Sequence, residues 1–153
     1  MGFYTATFDN VSVSAAQDLF EVVAGTGKPL RIHALFVGQS SDAGDAQAEN
    51  LRVRLIRGYT TSGFSGTTPS LAPLRSGNAA AGFTAEVNNL SVATGGPALV
   101  LHADTWNVAA GFAYVPTPEC RPEVNAGERF VVNLPTAPAD ALTMSATLYV
   151  EEI

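Results

Sequence analysis

Asp42, Asp45 and Glu49, with Gln47 among them, crowd into the stretch GQSSDAGDAQAENLRVRLIRG at residues 38–58. Acids in a small-residue loop could hold calcium, which takes about six to eight oxygen ligands. The spacing argues against it. An EF-hand loop alternates its acids, follows them with glycine and closes on a distal glutamate. Asp42-Ala-Gly-Asp45 breaks that alternation. Asp and Gly are also the ordinary residues of turns, one capping its own backbone and the other accepting positive φ. The stretch reads as a turn, with at most a single helical turn over SDAGDAQAEN because Gly44 interrupts it and no apolar stripe supports it.

The arginines that follow could grip a phosphate backbone. They alternate instead with apolar residues: Leu51, Val53 and Leu55 take one face of a strand, Arg52 and Arg54 the other, and Arg57 stands at its end. A strand that reads single-stranded nucleic acid interleaves aromatics for the bases to stack on, and none occurs between 50 and 58. Guanidiniums on the wet face of a strand suit bidentate pairing with carboxylates. Arg52, Arg54 and Arg57 thus stand on a solvent or interface face, and with Tyr59, Phe64 and Tyr149 they are the residues expected at any protein interface.

The histidines offer a third chemistry. His102 and Asp104 share a face in HADTW, and His33 lies in another strand, so a two-histidine metal site is conceivable. The paired histidines and following glutamate of a cupin are absent, and each histidine is expected to be hydrogen-bonded in place. Ser, His and Asp all occur, but no G-x-S-x-G elbow presents a nucleophile. There is no P-loop, dinucleotide fingerprint or C-x-x-C. No catalytic residue, metal or cofactor is expected. Trp106, Phe112 and Tyr114 fall at even positions of one apparent strand. They could stack on a sugar, although alternate aromatics more commonly fill a sandwich core.

The elements that must position these residues are strands. LTMSATLYVEEI puts Leu142, Met144, Ala146, Leu148 and Val150 on one face and Thr143, Ser145, Thr147, Tyr149 and Glu151 on the other. That alternation is a strand with a core face and a wet face, and its position at the end of the sequence predicts a terminus pinned in a sheet. Similar runs occupy 3–13, 18–24, 30–38, 50–58, 98–103, 105–115 and 129–134, separated by Gly- and Pro-rich turns such as AGTGKP and TGGP. About eight strands with no helical stripe predict an all-β, antiparallel β-sandwich of jelly-roll type. The domain is read as single, 1–153, with a long irregular insertion around 59–97; loops of that length usually serve a function.

Composition narrows the partners. A net charge of −6 and eight Lys and Arg, of which only Lys28 is lysine, argue against nucleic-acid binding. Only 14% of residues are charged, against about 25% in an average protein, so the surface is built from Ser, Thr, Asn, Ala and Gly and suits contact with neighbouring subunits. The single cysteine, Cys120, excludes an intrachain disulfide and is expected to be a small buried hydrophobe. MGFYTATFDN lacks the basic and apolar regions of a secretory signal, and Ala6 misses the myristoylation pattern. No apolar run is long enough for a membrane span.

FDNVSVSAAQDLFEVVA, IHALFVGQSSDAGDAQAENLRVRLIRG and PADALTMSATLYVEEI together resemble small proteins encoded among the virion genes of tailed bacteriophages and prophages. The middle, 59–97, carries little of the likeness. The resemblance implies a structural virion protein, a jelly-roll decoration (cement) protein on the capsid exterior, made in the bacterial host cytoplasm. Its partner would be the major capsid protein of the phage head, and it would act as a homo-oligomer, with a trimer favoured. It carries over no catalytic residue. The alternative is a carbohydrate-binding or receptor-binding β-sandwich module, as in a head fibre or tail tip.

Overall fold

A computed structural model describes residues 2–41 and 49–153. The loop acids Asp42 and Asp45, with Gln47 and the single helical turn expected there, lie outside the described residues.

Among the described residues, eleven strands form two antiparallel sheets. In chain order they are β1 (Gly2–Val13), β2 (Gln17–Val23), β3 (Leu30–Gln39), β4 (Asn50–Arg57), β5 (Leu71–Pro73), β6 (Thr84–Asn89), β7 (Leu99–Asn107), β8 (Phe112–Tyr114), β9 (Glu123–Val124), β10 (Arg129–Leu134) and β11 (Leu142–Glu152). Sheet A runs β5-β1-β11-β3-β8, with β9 also pairing β3; sheet B runs β6-β2-β10-β4-β7. Without the short or inserted β5, β6 and β9, eight strands remain. In sequence order they stand 1-8-3-6 in sheet A and 2-7-4-5 in sheet B, the interleaving of a jelly roll.

The expected sandwich is present, with two differences along the chain. The runs at 98–103 and 105–115 are redivided: β7 continues to Asn107, and a turn separates it from β8. Asn107 makes that turn, its side-chain oxygen accepting from Ala109 N (2.9 Å) and its carbonyl from Ala110 N and Gly111 N (3.0 and 3.1 Å). Gly111 takes φ +76°. Trp106 therefore lies in sheet B and Phe112 and Tyr114 in sheet A, not on one strand. Trp106 and Phe112 are buried in the core between the sheets.

The second difference concerns residues 59–97, which carry two strands. After β4 the chain turns at Gly58 (φ +101°). It then bridges to its own return limb at Thr61–Thr94, Phe64–Ser91 and Thr67–Val87. Between these limbs it adds β5 to the β1 edge of sheet A and β6 to the β2 edge of sheet B. Phe83, Ala85 and Val87 alternate into the core. The segment thus closes one open side of the sandwich.

Two buried acids of β2 fasten this segment. Glu21 accepts from Ser62 Oγ (2.7 Å), Gly63 N (2.9 Å), Asn89 Nδ2 (3.1 Å) and Arg129 Nε (2.6 Å). Asp18 accepts from Ala93 N (2.7 Å) and from Asn133 Nδ2 (2.8 Å), whose Oδ1 accepts in turn from Arg54 Nη2 (3.0 Å). Both acids point away from the core, on the face that the segment crosses. Burial pushes the Asp18 carboxyl up to about 6, the charge of Glu21 adding to it and the bonds from Ala93 and Asn133 opposing it.

A pH dependence follows. Between its ordinary value near 3.8 and about 6, the folded protein holds the Asp18 proton more tightly than the unfolded chain does. Its contribution is therefore complete below the unfolded value and lost as pH rises through the folded one. The shift corresponds to up to about 3 kcal/mol. Asp18→Asn cannot titrate, so the stability difference, wild type minus variant, should fall by that order between pH 3.5 and 7. Urea unfolding across that range measures it; a difference independent of pH refutes it.

Candidate interaction face

The two outer faces of the sandwich differ. That of sheet B is crossed by the insertion and its acid clamp. No described segment crosses that of sheet A, where Phe3, Thr7, Phe36, Thr147 and Tyr149 project outward. Phe3 and Phe36 are 41% and 44% exposed, and beside them Leu74 and Val115 are 57% and 63% exposed. The Phe36 and Tyr149 rings meet edge to face at 6.1 Å, and Phe3 meets the His33 ring likewise at 5.1 Å.

The ionic groups on this face largely neutralise one another. Glu151 accepts from His33 Nε2 (2.8 Å) and Arg31 Nη1 (3.3 Å), while Arg31 also bonds Glu123 (2.7 Å). Arg121 differs. No described carboxylate pairs with it, and its Nε is buried without a hydrogen-bond partner among the described residues.

A trough follows the strands along this face. At one end a cavity of about 330 Å³ is lined by Phe3, His33, Phe36, Leu74, Val115, Arg121 and Tyr149, among others. Phe36 also borders a wider hollow of about 680 Å³, bounded by Thr7, Asp9, Gly38, Ala113, Ser145 and Thr147 among others. The hollow exists because β1, β3, β8 and β11 set small residues outward there, while Phe and Tyr rise at the other end.

The six expected interface residues do not form one surface. Tyr149 lies on sheet A at the trough, while the other five lie on or beside sheet B. Arg52 is exposed on β4. Arg54 is committed to Asn133 (3.0 Å), and Arg57 to the Glu123 carbonyl (2.7 Å) and the Glu128 carboxylate (3.5 Å). Tyr59 is half-buried, its carbonyl accepting from Arg129 Nη1 (3.1 Å). Phe64 is 65% exposed on the insertion.

The conceivable histidine pair is not assembled. His33 lies on the outer face of sheet A with Glu151, whereas His102 stacks on the inward-facing Tyr114 (4.6 Å) beside Asp104 (3.4 Å). Glu49 of the acidic stretch accepts from Ala139 N (3.0 and 3.1 Å). Cys120 is exposed in a 3₁₀ turn, Pro118–Cys120, instead of buried: the turn sits outside the strands, where the core cannot cover it. Spacing could not have found Arg121, because it belongs to a connection whose path depends on how β8 and β9 share the edge of β3.

No family model matches the chain, and no curated protein does. Among solved structures it is similar to viral capsid proteins. The VP2 protein of infectious bursal disease virus, in derived T=1 particles, matches with a TM-score of 0.25 and 14% identity over 99% of this chain and 40% of that one. The same virus's T13 particle gives 0.24 and 15%, over 99% and 39%. The complex of the two major capsid proteins, VP16 and VP17, of bacteriophage P23-77 gives 0.16 and 12%, over 99% and 90%. The chain thus spans about 40% of the length of the VP2 chain. The strand order and the two faces define the class: a jelly-roll β-sandwich whose insertion crosses part of one sheet, with no described segment over the other.

Proposed function

We propose that the protein is a non-catalytic structural component of a virion: a decoration (cement) protein that binds the outside of an assembled phage head and stabilises it. The partner is the major capsid protein, and the site of action is the capsid exterior, after synthesis in the bacterial host cytoplasm. The observation that carries this reading is the uncovered outer face of sheet A, where Phe3, Phe36, Leu74 and Val115 stand exposed among self-neutralised charges. A large apolar surface with few free ions is what a partner protein covers. The resemblance of the three quoted stretches to phage virion proteins points the same way. A ligand that binds only the assembled lattice stabilises it by mass action, and a homo-oligomer, such as the trimer the resemblance implies, strengthens binding through effective concentration.

The test mixes purified protein with undecorated heads, pellets the particles and then heats them. Wild-type protein should co-sediment at micromolar concentration and raise the temperature of head disruption. Phe36→Asp, which places a charge at the centre of the face, should weaken binding at least about tenfold, as loss of a central aromatic contact does. Unchanged binding by that variant removes sheet A as the docking face.

A carbohydrate-binding role is the second reading, favoured by Phe3 lying against His33, which is bonded to Glu151. Retention on a glycan surface without co-sedimentation would select it.

A further inference from the structure

We infer that the trough on sheet A receives an extended segment of a partner protein that presents a carboxylate to Arg121 and an apolar side chain to the cleft between Phe3 and Phe36. The inference rests on the docking face proposed above and names the chemistry that the face recognises.

Three observations lead there. The first is the guanidinium. Arg31 has its charge taken up by Glu151 and Glu123, and His33 is hydrogen-bonded to Glu151, whereas Arg121 has a buried Nε with no partner among the described residues and lines the apolar end of the trough. A buried donor without an acceptor is costly, and a carboxylate supplies a charge-assisted, bidentate one.

The second is shape. The trough borders β11 from Ser145 to Val150, about 17 Å at the usual rise per strand residue. That length takes five or six residues of extended chain and exceeds a compact solute.

The third is polarity along that length. Arg121 stands at one end and the exposed Asp9, bonded to Ser145 Oγ (2.7 Å), at the other, with hydroxyl-bearing residues and glycine between. The Arg121 end is walled by the apolar Phe3, Leu74 and Val115. It suits a leucine-like side chain.

Nuclear magnetic resonance titration with defined probes tests this without any viral particle. Two acetylated, amidated peptides, Glu-Leu-Thr-Leu-Thr and Gln-Leu-Thr-Leu-Thr, differ only in the carboxylate. The Glu peptide should shift the Arg121 Nε–H signal and the ring signals of Phe36 and Tyr149, and bind about five- to tenfold more tightly than the Gln peptide. Arg121→Gln should make the two peptides equal while leaving the melting temperature near that of wild type. Equal binding to the wild-type protein, or no shift from either peptide at millimolar concentration, overturns the inference. So does a response to N-acetylneuraminic acid alone, which would mark an acidic glycan site. Because no head is present, failure here with intact co-sedimentation would remove the segment chemistry and leave the virion role standing.

Discussion

Glu21→Ala should lower the unfolding free energy by about 3–5 kcal/mol, the range for removing one partner of a buried ion pair. Glu21 is 2% exposed and serves four donors from three separate places: Ser62 and Gly63 on the outgoing limb of the insertion, Asn89 at the end of β6, and Arg129 on β10. Alanine leaves the Arg129 guanidinium, itself only 15% exposed, without its carboxylate, and it orphans the Gly63 amide. Both are desolvation costs. Glu21→Gln keeps the volume and one acceptor oxygen, so its loss should be smaller. Urea unfolding measures the difference, and limited proteolysis locates it. Cleavage within 59–97 should accelerate in the alanine variant because the segment loses its fastening to β2. A loss below about 1 kcal/mol, or cleavage unchanged, would mean that the bridges at Thr61, Phe64 and Thr67 hold the insertion by themselves.

Leu148→Ala should cost about 2–5 kcal/mol from lost transfer energy and the cavity left behind. Leu148 is fully buried at the middle of β11, opposite Ala6 on β1 and Leu35 on β3, with its side chain against sheet B. Its neighbours are strands paired on both sides and cannot close over the gap. Thr147→Ala, one residue away, should cost under about 1 kcal/mol, the span of strand propensities. Thr147 faces the trough, opposite Thr7 and Phe36, and is only half-buried. The pair of substitutions reports on the outer face in solution. Equal losses would show that a further layer of protein covers Thr147 in the free molecule.

Alternation alone determined much of the fold. Leu142, Met144, Ala146, Leu148 and Val150 are all buried, as their period of two requires, and Leu51, Val53 and Leu55 behave alike on β4. A period-two pattern needs no tertiary information, because a strand sends successive side chains to opposite faces whatever it pairs with. Turn residues placed most boundaries for the same local reason. The strand TAEVNN at 84–89 was legible in Ala85 and Val87, yet the Gly, Ser and Thr around it obscured the pattern. The Asn107 turn was misread because Val108 and Ala109 continue an apolar run.

Only the tertiary structure decided what the charged residues do. Asp18 and Glu21 sit in a strand whose other residues are nearly all buried, and the sequence offers no sign that a segment some 40 residues later brings donors to them. Arg57 pairs with the Glu128 carboxylate, as a guanidinium on a wet strand face suggests. That its partners are Glu128 and the Glu123 carbonyl, and that Arg54 is held by Asn133, no local pattern shows. Arg121 looked unremarkable and is the guanidinium left unpaired at the trough. Hydrophobic burial follows local periodicity, whereas hydrogen bonds and ion pairs depend on distances of a few ångströms between residues far apart in the chain. Those distances exist only once the two sheets have closed on one another.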